Sequence, residues 1–370
     1  MISSWHTMLA LLPPDWFIGQ GQLLLLVIAA AALVAVIKGA DWLVEGAAGI
    51  ASSLGMPKVV IGATIVSLGT TSPEAAVSVL AAWQGQPGLA LGNGVGSVIA
   101  DTGLIFGCGC LLVNLPANRY VLSRQGWVQV GAAVMLALIC YTLFAGRGDE
   151  AFLGRCVGLL FTSLLILYMY MSVRWSRQHP HGEPFIITGE NHQPVPALRT
   201  GSDVFQQAEP KHNTLFLLTT GVIGLAIVII AGSALVASVS ELAEVHWGVP
   251  KVVIAATLVA LGTSLPELAV GLTSIYKGHP ELLVGNVIGA DILNVLFVIG
   301  ASALAAPLTV VEDGNHIFLY LHLPTMLLIL LLFRLYIFRA VRRGQFSRWM
   351  GLPMVLIYTG YVILQYVLST

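Results

Sequence analysis

Two glutamates, Glu74 and Glu267, lie in the middle of long apolar segments with no Lys or Arg close by in the same segment. A charged side chain at the centre of a bilayer costs about 2.5–3.5 kcal/mol on insertion scales. Something must offset that cost at both positions, and a bound cation would do so. Each glutamate follows a proline, Pro73 and Pro266, which has no N–H and clashes with the carbonyl four residues back. That residue is glycine in both cases, Gly69 and Gly262. The expected result is a broken helix whose carbonyls at Ser67 to Thr70 and Ala260 to Thr263 turn into a cavity. Irregular backbone at membrane depth is tolerated only where protein or water receives it. Carbonyls, carboxylates and the hydroxyls of Thr70, Thr71, Thr263 and Ser264 are hard oxygen ligands of the kind Ca2+ and Na+ prefer.

The two glutamates belong to one motif written twice. Residues 57–74 and 250–267 are identical at 13 of 18 positions without a gap, at an offset of 193. The same offset aligns Gly92-Asn93 with Gly285-Asn286, and Gly96 with Gly289. This second motif opens another pair of segments and carries further polar groups. Ser97 and Asp101 are four apart and share a helix face, with Ala290 and Asn294 as their counterparts. Asp101 is a further intramembrane acid. Asp291 lies one residue off the Ala290–Asn294 face, and a hydrogen-bonded residue near a helix start is the other reading of it.

The elements that must position these groups are membrane spans. The chain has 370 residues, of which 57% are hydrophobic and only 9% charged, with net charge −1. A soluble domain has about 25% charged residues. Nothing in this balance suits nucleic acid. Ten segments reach the roughly 20 apolar residues that a span needs, near 20–47, 58–82, 88–114, 125–145, 151–173, 214–242, 251–276, 282–306, 316–338 and 349–369. The predicted organisation is a first half over 1–174, a polar linker over 175–213 with five prolines, and a second half over 214–370. The N-terminus lacks the basic stretch of a secretory signal, so the first apolar run reads as a true span. Thirteen Lys and Arg fall in one set of loops and three in the other. The positive-inside rule then places both termini outside and the linker in the cytoplasm, in a cell (inner) membrane.

Five spans precede the linker and five follow it, so the repeated halves enter the membrane from opposite sides. Such inverted repeats are an architecture of secondary transporters. The fold class expected is therefore an all-α membrane protein of ten transmembrane helices in two inverted-topology repeats of five. No HExxH or GxSxG motif supports a membrane-embedded metal-dependent hydrolase, which is the remote alternative, so no enzyme activity is expected. The cysteines Cys108, Cys110, Cys140 and Cys156 show no metal-ligand spacing.

Gly-Thr-[Ser/Thr]-x-Pro-Glu followed by Gly-Asn-x-x-Gly, present twice, resembles the two alpha-repeats of the sodium/calcium exchangers, within the cation/Ca2+ exchanger superfamily. The resemblance covers most of both halves. It implies ion sites between the second, third, seventh and eighth helices and exchange of Na+ for Ca2+, with no organic cofactor. Carried onto this chain, the Ca2+ ligands are Glu74, Glu267 and the carbonyls of Thr70 and Thr263. The Na+ sites use the Ser67 and Ala260 carbonyls, Thr71, Ser264, Ser97, Asp101 and Asn294. Two departures stand out. Asp101 and Asn294 exchange the Asn and Asp of family members with three site acids, and Ala290 replaces a family serine. The implied partners are the lipid bilayer and the transported ions, in a monomer or weak homo-oligomer. The alternative counter-ion is H+, giving a Ca2+/H+ antiporter that uses the same acids as proton carriers.

Overall fold

The structure, a computed structural model, describes residues 16–53, 56–178, 214–247, 264–311 and 316–369. Apolar runs longer than a bilayer is thick become helices, because in lipid every backbone polar group must find its partner within the segment. The helices are α1 (Gln22–Ser53), α2 (Lys58–Thr70), α3 (Ser72–Trp83), α4 (Pro87–Leu112), α5 (Arg119–Arg147) and α6 (Arg155–Gln178). They continue with α7 (Thr214–Glu241), α8 (Leu265–Tyr276), α9 (Pro280–Ala305), α10 (Phe318–Arg343) and α11 (Gly351–Ser369).

Among the described residues, eight helices are long and apolar enough to cross a membrane, or nine when α2 and α3 are taken as one span bent by 43°. The bend falls where Pro73 was expected to break the helix. The Thr71 N–H still reaches the Ser67 carbonyl at 2.8 Å, and the Ala75 N–H reaches Thr71 at 3.1 Å. Pro73 has no N–H for Gly69, so the break is confined to about one turn. The Ser67 carbonyl is therefore not freed as expected, although a carbonyl bonded once keeps a second lone pair. The segment expected as the seventh span is described only from residue 264 onward, so Ala260, Gly262 and Thr263 lie outside the described residues. So does nearly all of the linker.

Helices α4 and α9 form the centre, and 94% of the most apolar part of α9 is buried. The long α1 and α7 pack on each other at the side, with many of their leucines and valines exposed where lipid would lie. Their backbones approach closely because a Cβ on Gly224 would meet the Gly39 carbonyl. Two short antiparallel ladders join the halves. Leu115–Pro116 pairs with Gln345–Phe346, and Phe152–Leu153 pairs with Leu308–Thr309. The offset of 193 carries each ladder onto the other.

Candidate ion site

The repeated motifs meet in the interior. Glu74 and Glu267 stand in the first turns of α3 and α8, each just after the helix-starting proline. Each is 1% exposed. Asp101 and Asn294, also 1% exposed, each open a π-helical turn, Asp101–Phe106 in α4 and Asn294–Ile299 in α9. Such turns interrupt the regular ladder and recur at functional sites. The charges of Glu267 and Asp101 both act on Glu74, which places the three acids in one cluster.

Within this cluster, three of the contacts between the halves are the following. The Thr71 hydroxyl donates to Oε1 of Glu267 at 3.3 Å. The Thr70 hydroxyl lies 3.4 Å from Oδ1 of Asn286 and equally far from the Ser67 carbonyl. The Asn294 amide donates to Oδ2 of Asp101 at 3.2 Å. The close approach of α9 to α2 depends on Gly289, where a Cβ would strike Ala63 and the Ser67 hydroxyl.

Many oxygens in this cluster have no partner. Among the described residues these are both carboxylate oxygens of Glu74, Oε2 of Glu267, Oδ1 of Asp101, Oδ1 of Asn294 and the Ser264 hydroxyl. Buried polar atoms are ordinarily satisfied. A set of unpaired anionic oxygens at membrane depth is unstable unless a cation or protons join it. Ser97 is buried on α4, and Ser67 spends its hydroxyl on the Thr64 carbonyl at 3.3 Å. Thus Glu74, Glu267, Asp101, Asn294, Thr70, Thr71, Ser67, Ser97 and Ser264 all lie buried in the centre of the helix bundle.

Sequence reasoning passed over the scaffold behind them. Asn93 donates to the Glu74 carbonyl at 3.3 Å and to the Ser78 hydroxyl at 2.9 Å, tying α3 to α4. Asn286 is its repeat counterpart and receives Thr70. The Gly-Asn pairs were visible as a repeat signal, and an amide repeated beside a broken helix was the available hint. Thr102 and Gln129 were also passed over. Both donate to Asp291.

Around the α8–α9 turn lies an ionic network. Lys58 at the start of α2 donates to Nδ1 of His279 at 2.8 Å and lies 3.9 Å from Glu281. Lys277 donates to the Asp41 carbonyl at 2.9 Å and pairs with Glu45 at 3.4 Å. Burial, and then the Lys58 charge, push the His279 imidazole down to about 4.

A polytopic helical protein with unpaired acids at its centre is the class these features define. The family model for sodium/calcium exchanger proteins matches residues 24–174 and 216–367. CaxA of Alkalimonas amylolytica is 30% identical over 331 residues, covering 89% of this chain and 94% of CaxA. The sodium/calcium exchanger MaX1 of Methanosarcina acetivorans is 28% identical over 350 residues, covering 90% of this chain and 95% of MaX1. A solved structure of the sodium-calcium exchanger NCX_Mj, soaked with Na+ and Sr2+, has the same fold. Its TM-score is 0.72 at 23% identity, covering 93% of this chain and 99% of that one. The chain belongs to the sodium/calcium exchanger family, an integral membrane family of cation exchangers.

Proposed function

We propose that this protein exchanges Na+ for Ca2+ by alternating access at a mid-membrane site built from Glu74, Glu267 and Asp101. The observation that carries the reading is the set of unpartnered buried oxygens contributed by both halves to one cluster. Glu74 and Glu267, with the carbonyls of Thr70 and Thr263, hold Ca2+. The Ser67 and Ala260 carbonyls, Thr71, Ser264, Ser97, Asp101 and Asn294 serve Na+. Three ionised acids carry a charge of −3, which several Na+ ions neutralise, or one Ca2+ together with retained protons. Like-charge repulsion in a low-dielectric pocket disfavours holding both ion types at once. A vacant site leaves acids unpaired, which disfavours return without cargo. Together these two penalties give exchange.

The architecture proposed is ten helices in two inverted repeats, residues 1–174 and 214–370, joined by a cytoplasmic linker over 175–213, with both termini outside. The matching ladders and the direct contact of Asp101 with its repeat counterpart Asn294 support it. The close-packed α1 and α7 are the elements suited to slide as gates. The NCX_Mj structures, soaked with Na+, Ca2+ or Sr2+ in different combinations, concern a protein of this fold.

One observation favours a second reading, Ca2+/H+ exchange: Ala290 carries no hydroxyl where Ser97 supplies one in the first half. The test is Ca2+ uptake into proteoliposomes loaded with Na+, K+ or choline, with the pH gradient clamped. Uptake that requires internal Na+ supports Na+/Ca2+ exchange. Uptake indifferent to Na+ that collapses with the proton gradient replaces it with Ca2+/H+ exchange.

A further inference from the structure

Asp291 is not part of the repeated ion-site motif, yet it is 1% exposed in the interior of α9. It stands 11 residues into a helix that starts at Pro280, about 16 Å along the axis at 1.5 Å per residue. That is close to the middle of a hydrocarbon core about 30 Å thick. Oδ2 of Asp291 accepts from two groups on different helices, the Thr102 hydroxyl on α4 and the Gln129 amide nitrogen on α5. Oδ1 of Asp291 and Oε1 of Gln129 are both buried without a partner. Two neutral donors do not cancel a full negative charge at this depth. Asp101 is a further carboxylate within electrostatic reach of Asp291, and like charges repel.

The repeat sharpens the point. At the offset of 193, Asp291 matches Val98, Thr102 matches Val295 and Gln129 matches His322. None of the three meets its own kind at the matching position, so the trio, with Asp291 from one half and Thr102 and Gln129 from the other, is an asymmetric feature of the contact between the halves. Asp291 sits directly beside Ala290, in the half that lacks the hydroxyl supplied by Ser97 in the other. The second half thus lacks a hydroxyl at Ala290 and carries a carboxylate one residue further on.

We propose that Asp291, Thr102 and Gln129 hold a Na+ ion of their own, separate from the ions bound by Glu74, Glu267 and Asp101. The donors are hard oxygens: Oδ1 of Asp291, Oε1 of Gln129 and the free lone pairs of the Thr102 hydroxyl. Such donors select an alkali or alkaline-earth cation. The single carboxylate matches a single positive charge, whereas Ca2+ would leave a net charge in a low-dielectric interior. The inference deepens the exchanger reading, on which it rests for the meaning of Na+, but its binding test needs no transport.

The experiment is equilibrium dialysis of the purified full-length protein against radiolabelled Na+ in Ca2+-free choline medium. Wild type is compared with Asp291→Asn, and with Asp291→Val, which installs the residue found at the matching position of the first half. Wild type binds one more Na+ than either variant, and Gln129→Leu weakens that same ion. In proteoliposomes, Asp291→Asn still takes up Ca2+, but half-maximal exchange needs roughly tenfold more Na+. Equal Na+ counts in wild type and Asp291→Asn overturn the proposal. So does an infrared carboxylic-acid band in the Na+-saturated wild type that Asp291→Asn removes, since Asp291 then carries a proton instead of Na+. Failure of the exchanger reading looks different: Glu74→Gln would transport Ca2+ as wild type does, whatever the Na+ count at Asp291.

Discussion

Asp101 and Asn294 occupy the same position in the two repeated motifs, 193 residues apart, and they are hydrogen-bonded to each other at 3.2 Å. In the inverted-repeat architecture proposed above, a residue touches its own repeat counterpart only where the two halves meet about their common axis. The pair therefore places the interface of the halves at the acid cluster. It bears on the exchange of Asn and Asp that the resemblance implied: in either order the carboxylate and the amide stay within one hydrogen bond of each other.

Exchanging the two residues tests that statement. Asp101→Asn alone should raise the Na+ requirement of exchange and leave the apparent Ca2+ affinity near wild type. The double variant Asp101→Asn with Asn294→Asp should restore the Na+ response. Flux measured against Na+ at fixed Ca2+ checks both. A Na+ response unchanged by Asp101→Asn would remove Asp101 from the coupling site.

Glu74→Gln and Glu267→Gln should each weaken Ca2+ transport by about ten- to a hundredfold, since an interaction with a charged group is worth about 1.5–3 kcal/mol. Neither should destabilise the ion-free protein, because the carboxylate removed has no positive partner there. Radiolabelled Ca2+ uptake together with thermal unfolding in chelator separates the two effects. Near-normal uptake in either variant would sink the assignment.

Gly289→Ala places a methyl group against Ala63 and the Ser67 hydroxyl. Overpacking of this kind costs about 1–3 kcal/mol. The strain falls on the turn that precedes Thr70 and Thr71, so the variant should lose both thermal stability and Na+ affinity. A melting temperature and Na+ dependence equal to wild type would show that α2 and α9 yield freely at this crossing.

His279 predicts an acid limb. Its value in the folded protein, about 4, lies below the 6.5 of a free imidazole because burial and then the Lys58 charge oppose its protonation. Below 6.5 the unfolded chain takes up the proton and the folded protein does not. Stability should fall as pH drops from 6.5 towards 4 and level off below that, with no contribution from this group above 6.5. His279→Gln should flatten that part of a plot of melting temperature against pH. An unchanged limb would assign it to other groups.

Lys277 and Lys58 bind the α8–α9 turn to α1 and α2. At the repeat offset, Lys277, His279, Asp41 and Glu45 match Gln84, Gln86, Ala234 and Ser238, which carry no charge. Half-exposed pairs of this kind are worth about 0–1 kcal/mol each. Lys277→Gln should therefore change thermal stability little, yet shift the balance between the two access states. Reagent labelling of a cysteine introduced near Asp41 would read that shift, and equal labelling in both proteins would exclude a role for the network in access.

Much was legible before any coordinates. Glu74, Glu267 and the prolines before them stood out because a carboxylate and a helix-breaker are both costly in a span, and the repeat at 193 removed coincidence. The span limits followed from apolar length alone: the segment expected near 88–114 is α4, Pro87–Leu112. The effect of Pro73 was only partly foreseen. It withdraws one donor, the one that would serve Gly69, so the Ser67 carbonyl keeps its bond to Thr71. Gln129 and Thr102 were not legible, because an uncharged polar residue in an apolar helix gains meaning only from what packs against it. Asp291 was visible as an acid and ambiguous in role for the same reason. Sequence by itself determined the chemistry available, since residue type and repeat spacing are local properties of the chain. Tertiary structure decided which oxygens are left without partners, since that depends on how α4, α5 and α9 cross. No spacing along one chain encodes that crossing.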